Sequence, residues 1–211
     1  MPVLEIHLRD LSGSLAAAWE GAFAGVPGVS VSQGDIFSTR PGPLPDDVPI
    51  DVPADAVVSP ANSFGFMDGG IDAVYTHQFG FGLEGRLQAL LAAEHGGELP
   101  VGCAVIVETE SPETPWCVSA PTMRVPEAVP DTANAYLAFR AALRAVLAHN
   151  AAGRQPIRRV LCPGLATTTG RMPAGRCAAQ MRAAWDNVLG EGPPQRPSWH
   201  AVASLHQRLL A

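Results

Sequence analysis

The chain contains no lysine: all 14 of its basic residues are arginines, set against 20 acidic residues for a net charge of −6. Without lysine there is no mechanism through a lysine Schiff base and no GxxxxGK[ST] phosphate loop. The acidic balance also argues against non-specific nucleic-acid binding, which needs a basic surface. Any bound anion therefore has to be held by backbone amides and a few arginines. Cysteine is scarce as well. Cys103, Cys117, Cys162 and Cys177 form no CxxC pair and read as buried free thiols. The six histidines, His7, His77, His95, His149, His200 and His206, show no metal-ligand spacing with each other or with the cysteines. No metal and no cofactor are expected. Long apolar runs are missing too, so no membrane span is predicted. The first ten residues lack the basic region and apolar stretch of a secretion signal, and a cytoplasmic location is expected.

What is present suits one globular domain of 211 residues, 47% hydrophobic and 16% charged, long enough to bury a sizeable core. Val3 to Leu8 alternates as a strand. Leu15, Trp19 and Phe23 line one side of a helix over Leu11 to Ala24, with Ser12 or Ser14 as its cap. Val29 to Ser32 is a second strand, and Ala56-Val57-Val58 reads as a buried third. Between them lie Pro41, Pro43, Pro45, Pro49 and Pro53, a density no regular element survives, so residues 39–53 are predicted to form an extended loop. Helices are predicted after Gly70 and over Gly82 to His95. Strands follow at Ala104 to Val107 and Trp116 to Ala120. A helix capped by Asp131 or Thr132 carries Arg140 and Arg144 on a solvated face. A strand over Arg158 to Cys162, a helix over Ala174 to Leu189, a proline-rich linker and a final helix over Trp199 to Leu210 capped by Ser198 complete the chain. Alternating strands and helices of this kind predict an α/β fold, with helices on both faces of a mostly parallel or mixed sheet.

The most informative stretch is Ala56 to His77. A buried strand runs into Ser59-Pro60-Ala61-Asn62, then Gly65, then Gly69-Gly70-Ile71-Asp72, then a helix. A strand, a glycine-rich loop and a helix N-terminus together present free amides and a positive dipole end to an anion. The same arrangement recurs at Pro163 to Pro173, where Gly164, the run Ala166-Thr167-Thr168-Thr169 and Gly170 lead into a helix. Ligands of open α/β sheets bind outside the C-terminal strand ends, and both loops lie there.

Asn62, six residues and then Gly69-Gly70-Ile71-Asp72 resemble the ADP-ribose-binding loop of macro domains, in particular the MacroD-type hydrolases. Gly34-Asp35-Ile36, one strand earlier, resembles the family's adenine-binding segment, and Pro163 to Pro173 its second phosphate loop, with Ala166 and Thr168 where many relatives carry glycine. The resemblance covers about Val29 to Leu189 and implies a three-layer α/β/α fold, with the strand–helix before it and the last helix as integral additions to a single domain. It further implies that Asp35 accepts the adenine amino group beside the Ile36 amide. Gly69, Gly70 and Ile71 would face the pyrophosphate from one side, and Ala166, Thr167, Thr168, Thr169 and Gly170 from the other. Asn62 and Asp72 match the family's catalytic pair, and Ser59, which can donate and accept one hydrogen bond, stands where many relatives have a further asparagine. The implied activity is removal of mono-ADP-ribose from a modified acceptor, such as a protein carboxylate ester. A non-catalytic ADP-ribose-binding module is the alternative, because both share one pocket. Asp72 is expected to be ionised by the helix dipole, and so to orient water rather than take its proton.

Overall fold

The structure is a computed structural model that describes residues 4–37, 54–190, 192 and 196–211; the proline-rich segment 39–53 lies outside the described residues. In chain order the elements are β1 (Glu5–Asp10), α1 (Gly13–Ala22), β2 (Val29–Gln33), β3 (Ala56–Ser59), α2 (Gly70–Phe79), α3 (Gly82–His95), β4 (Val105–Glu108), β5 (Trp116–Ser119), α4 (Asn134–Ala151), β6 (Arg159–Cys162), α5 (Ala174–Val188) and α6 (Trp199–Leu210). The six strands form one sheet in the order β2-β1-β6-β3-β5-β4. All neighbours are parallel except β4, which runs antiparallel to β5 at an edge.

Side chains alternate between the two faces of a strand, and the core divides accordingly. Ile6, Leu8, Ala56, Val58, Val118, Val160 and Cys162 face Leu15 and Trp19 of α1, Phe139 and Leu143 of α4, and Met181 of α5. Val57, Val105, Val107, Cys117 and Leu161 face Tyr75 of α2 and Leu83, Leu87 and Leu91 of α3. The sheet therefore lies between two helical layers, as the alternation of elements predicts. Trp19 is fully buried, and its indole N–H points at the Met181 sulfur 3.3 Å away. Burying a large apolar side chain of this kind contributes about 1.5–3 kcal/mol. α6 leans on α5 through buried Leu209, whose carbonyl accepts from Gln180 at 2.7 Å.

Several sequence expectations are corrected. Cys103, expected as a buried thiol, is exposed, whereas Cys117, Cys162 and Cys177 are buried, because Cys103 sits in the turn that leads into β4. Arg140 is half-buried rather than part of a fully solvated face: its Nε donates to Asn187 Oδ1 at 2.7 Å, tying α4 to α5. The cap of α4 is Ala133. Thr132 accepts from the Asn134 amide two residues later, while Asp131 pairs instead with Arg176 at 2.8 Å.

Candidate functional site

Five strands in a parallel arrangement put their C-terminal ends on one edge of the sheet, and a cavity of about 630 Å³ opens there. Its wall is built from the β1–α1 connection, the segment after β2, the β3–α2 loop, the segment after β5 and the β6–α5 loop.

The β3–α2 loop is closed by Asn62. Its side-chain oxygen accepts from the amides of Phe64 at 3.0 Å and Phe66 at 3.3 Å, and its Nδ2 donates to the Phe66 carbonyl at 2.8 Å. Asn62 lines the cavity, yet its carbonyl is committed to its own loop, which leaves one amide hydrogen for anything bound. Gly69 is the N-cap of α2, and Gly70 has φ +56°. A Cβ added to Gly70 would meet no atom within 4 Å, so the left-handed backbone and not crowding within the protein calls for glycine there. Beyond it the first amides of α2 have no intrahelical acceptor.

Asp72 stands in that first turn, on the cavity wall, and only 7% of it is exposed. Ser59, the last residue of β3, donates its hydroxyl to Asp72 Oδ1 at 2.5 Å. Burial pushes the Asp72 carboxyl from 3.8 up to about 7, against the opposing pull of the Ser59 hydrogen bond. The expectation of a dipole-ionised Asp72 is thus overturned. A helix end offers roughly 0.3–1 kcal/mol to a nearby charge, whereas each unit of this shift corresponds to about 1.4 kcal/mol, so desolvation wins. Ser59 itself is fully buried and absent from the wall. It is Asp72's partner rather than a ligand contact.

Asp35 is exposed on the wall. One carboxylate oxygen accepts from the Phe37 amide at 3.0 Å, and its carbonyl accepts from Arg9 Nε at 2.8 Å. Ile36 lines the cavity while its side chain joins the core under α2 and α3. The β6–α5 loop is pinned at its start, where the Gly164 amide donates to Asp10 Oδ2 at 3.1 Å, and folds back through Met172 N to Ala166 O at 2.9 Å and Arg171 N to Thr168 O at 3.2 Å. A Cβ on Gly170 would collide with the Ala166 carbonyl, so that glycine is sterically required. Ala166 adopts φ +60°, the conformation for which glycine is the ordinary residue.

A family model, that of the macro domain, matches residues 58–181, more than half of the chain. The chain belongs to the macro domain family. A curated relative, an uncharacterised protein of Aquifex aeolicus (strain VF5), is 30% identical over 131 residues that cover 62% of this chain and 72% of that one. Among solved structures, the Oceanobacillus iheyensis macrodomain with ADP superposes with a TM-score of 0.57 at 20% identity, over 75% of each chain. A variant of the same macrodomain with ADPR gives 0.55 at 20% identity, covering 66% of this chain and 73% of that one. The macrodomain of Mycobacterium tuberculosis DarG gives 0.53 at 19% identity, covering 77% of this chain and all of that one. At such identities the likeness is one of fold.

In this macro domain, Asp35, Ile36, Asn62, Gly69, Gly70, Ile71, Asp72, Ala166, Thr167, Thr168, Thr169 and Gly170 all reach the cavity wall. Sequence reading passed over Arg9, Asp10, Phe66, Asp68 and Thr122, which reach it too. Arg9 and Asp10 were findable: a parallel strand must bring its C-terminal end to the ligand edge, and Asp10 lies two residues before the Ser12 cap. Arg9 is fully buried and also donates to Ser32 Oγ at 2.7 Å. One further string, Gly80-Phe81-Gly82-Leu83-Glu84-Gly85, has the GxGxxG spacing of a dinucleotide loop. It joins α2 to α3 with no strand before it, so it lacks the strand-to-helix context that such a loop needs. Among the described residues no cluster of histidine, cysteine, aspartate or glutamate could hold a metal ion, and no helix is long and apolar enough to cross a membrane.

Proposed function

We propose that this macro domain binds ADP-ribose in the cavity and removes it by hydrolysis from a modified acceptor, in the manner of the MacroD-type enzymes it resembles, with an ester of a protein carboxylate as the substrate class. The observation that carries this reading is Asp72: a carboxyl on the wall, buried, and held near neutrality with its pKa at about 7. A general base works best when its pKa lies near the working pH. In this reading the adenine lies against Asp35 and Ile36. The pyrophosphate sits between the amides of Gly69 to Ile71 and those of Ala166 to Gly170, and the remaining N–H of Asn62 reaches the distal ribose. Water attacks the anomeric carbon and gives its proton to Asp72. The new C–O bond forms as the bond to the acceptor oxygen breaks, and the acceptor leaves with the electron pair as a carboxylate. The presence of ADP and of ADPR in the Oceanobacillus iheyensis macrodomain structures supports the ligand class, and a cytoplasmic setting belongs to the same reading.

One observation favours the alternative of a binding module: Asn62, the other half of the expected catalytic pair, spends its carbonyl on its own loop. Release assays separate the two. The protein is incubated with a mono-ADP-ribosylated acceptor protein and with O-acetyl-ADP-ribose, and free ADP-ribose is quantified. Hydrolysis predicts release by the parent and loss of at least about a hundred-fold in turnover for Asp72→Asn, in the range of a removed acid–base group, with affinity for free ADP-ribose retained within a few-fold. A parent that binds ADP-ribose and releases none from either substrate is a binding module.

A further inference from the structure

Ser59 and Asp72 come from different elements, one at the end of a central strand and the other in the first turn of α2, and they meet at 2.5 Å in a fully enclosed contact. The sheet register explains why the contact is fixed. Ser59 pairs with Ser119 across β3 and β5, and Ser119 with Val105 across β5 and β4, so the three side chains form a row on one face. Val105 belongs to the core under α2 and α3, which identifies that face. A β-strand side chain with apolar neighbours and no exposure has little freedom to turn away. Asp72 meets the cavity, whereas Ser59 does not.

We infer that Ser59 is a positioning residue for the hydrolysis: its hydroxyl holds one oxygen of the Asp72 carboxyl on the sheet side, so that the group presents its other oxygen to the cavity in a fixed orientation. The inference rests on the hydrolase reading. A carboxylate takes a proton with one oxygen lone pair, and catalysis needs that lone pair aimed at the attacking water. Holding Oδ1 with a donor both aims Oδ2 and favours the ionised form. Other titratable and charged groups lie around Asp72. Burial drives Tyr75 on α2 and Cys117 on β5 upward, so both stay neutral. Tyr75 donates to the Val58 carbonyl at 2.9 Å. Glu84 of α3 accepts from the Met67 amide, His77 lies on α2, and Arg9, Asp10, Asp35 and Asp68 stand on the cavity wall. None of these makes the short contact that Ser59 makes.

The same row supplies a control. The Ser119 hydroxyl is buried without a hydrogen-bond partner, so Ser119→Ala removes an equal hydroxyl from the same face without touching the Asp72 bond. The experiment combines the titration of the Asp72 carboxyl, followed by carboxyl-carbon NMR in the unliganded protein, with the pH profile of ADP-ribose release. Ser59→Ala is expected to raise the Asp72 titration midpoint and the acid limb of the profile together, by about one to two pH units, the size of a charge-assisted hydrogen bond. At neutral pH that lowers turnover roughly ten-fold or more. Ser59→Thr, which keeps the hydroxyl and suits a strand, is expected to titrate like the parent, and so is Ser119→Ala. Ser59→Cys, a weaker donor, is expected in between and serves if the alanine variant does not fold. A midpoint that stays put in folded Ser59→Ala or Ser59→Cys overturns the inference, as does an equal rise in Ser119→Ala. Because the titration needs no turnover, a parent that releases no ADP-ribose refutes the hydrolase reading separately.

Discussion

Asp72 ties the stability of the fold to pH. Its folded pKa lies at about 7 against an unfolded 3.8, so the folded protein holds the proton more tightly than the unfolded chain does. The favourable contribution of this site is complete below about pH 4, falls as pH rises towards 7 and is then lost. At about 1.4 kcal/mol per unit, the loss is on the order of a few kcal/mol. Asp72→Asn keeps an acceptor for Ser59 without the charge. Urea unfolding is expected to find that variant more stable than the parent by roughly that amount at about pH 8 and equal to it near pH 4. If the proposed hydrolysis holds, with ionised Asp72 as its base, turnover is expected to rise about ten-fold per pH unit up to about 7 and then level. The loop residue Ala166 offers a second test. At φ +60° an alanine carries about 1–2 kcal/mol of strain, partly offset by the entropy that glycine loses on folding. Ala166→Gly is expected to raise the thermal midpoint, with a net gain of a few tenths to about 1 kcal/mol. Asp72 was legible in the sequence as a residue type at a given spacing. Its proton affinity was not, because that depends on what α2 and β3 bury around it, and pattern alone does not specify such an enclosure.

Among the elements, those with strong periodicity were readable. The last helix begins and ends where its Ser198 cap and apolar spacing put it, and α3 ends at the left-handed Gly96. Contacts between elements far apart in sequence were not readable. Asp10 ends β1, and its carboxylate accepts from Ser12 N at 2.9 Å and from Gly164 N at 3.1 Å, joining the N-terminus of α1 to the loop after β6. No local signal links positions so distant in the chain. Asp10→Ala removes both bonds, each to a charged acceptor. It is expected to cost about 1.5–3 kcal/mol for a bond of this kind and to weaken ADP-ribose binding measured by calorimetry, because the second loop loses its anchor. Unchanged affinity would show that the loop is held by its internal turns alone.

At the scale of the whole molecule, the absence of lysine and the net charge of −6 bear on how an anion is held. Among the described residues Arg9 is the one cation on the wall, beside Asp10, Asp35, Asp68 and Asp72, so amides at two loops are left to meet a pyrophosphate. Binding through amides releases few counterions. The affinity for ADP-ribose is therefore expected to change little between low and high salt, in contrast to sites built on lysine and arginine. Saturation at about a hundred times Kd is expected to add about 2.7 kcal/mol to unfolding free energy, readable as a rise in thermal midpoint. A steep salt dependence would place the ligand on side-chain cations instead.

The place of β6 in the sheet governs how the molecule comes into being. Among the described residues it is the last strand in sequence and the one that joins the pair β2-β1 to the trio β3-β5-β4. A nascent chain leaving the ribosome therefore carries two half-sheets with raw inner edges until Arg159–Cys162 has emerged. Exposed edges of that kind invite pairing with other chains. The cavity draws on both halves and on the loop that β6 itself leads into. Until that strand inserts, the wall of the cavity is incomplete, and a chain cut short before Arg159 is expected to expose unpaired strand edges and to show no ADP-ribose binding by calorimetry.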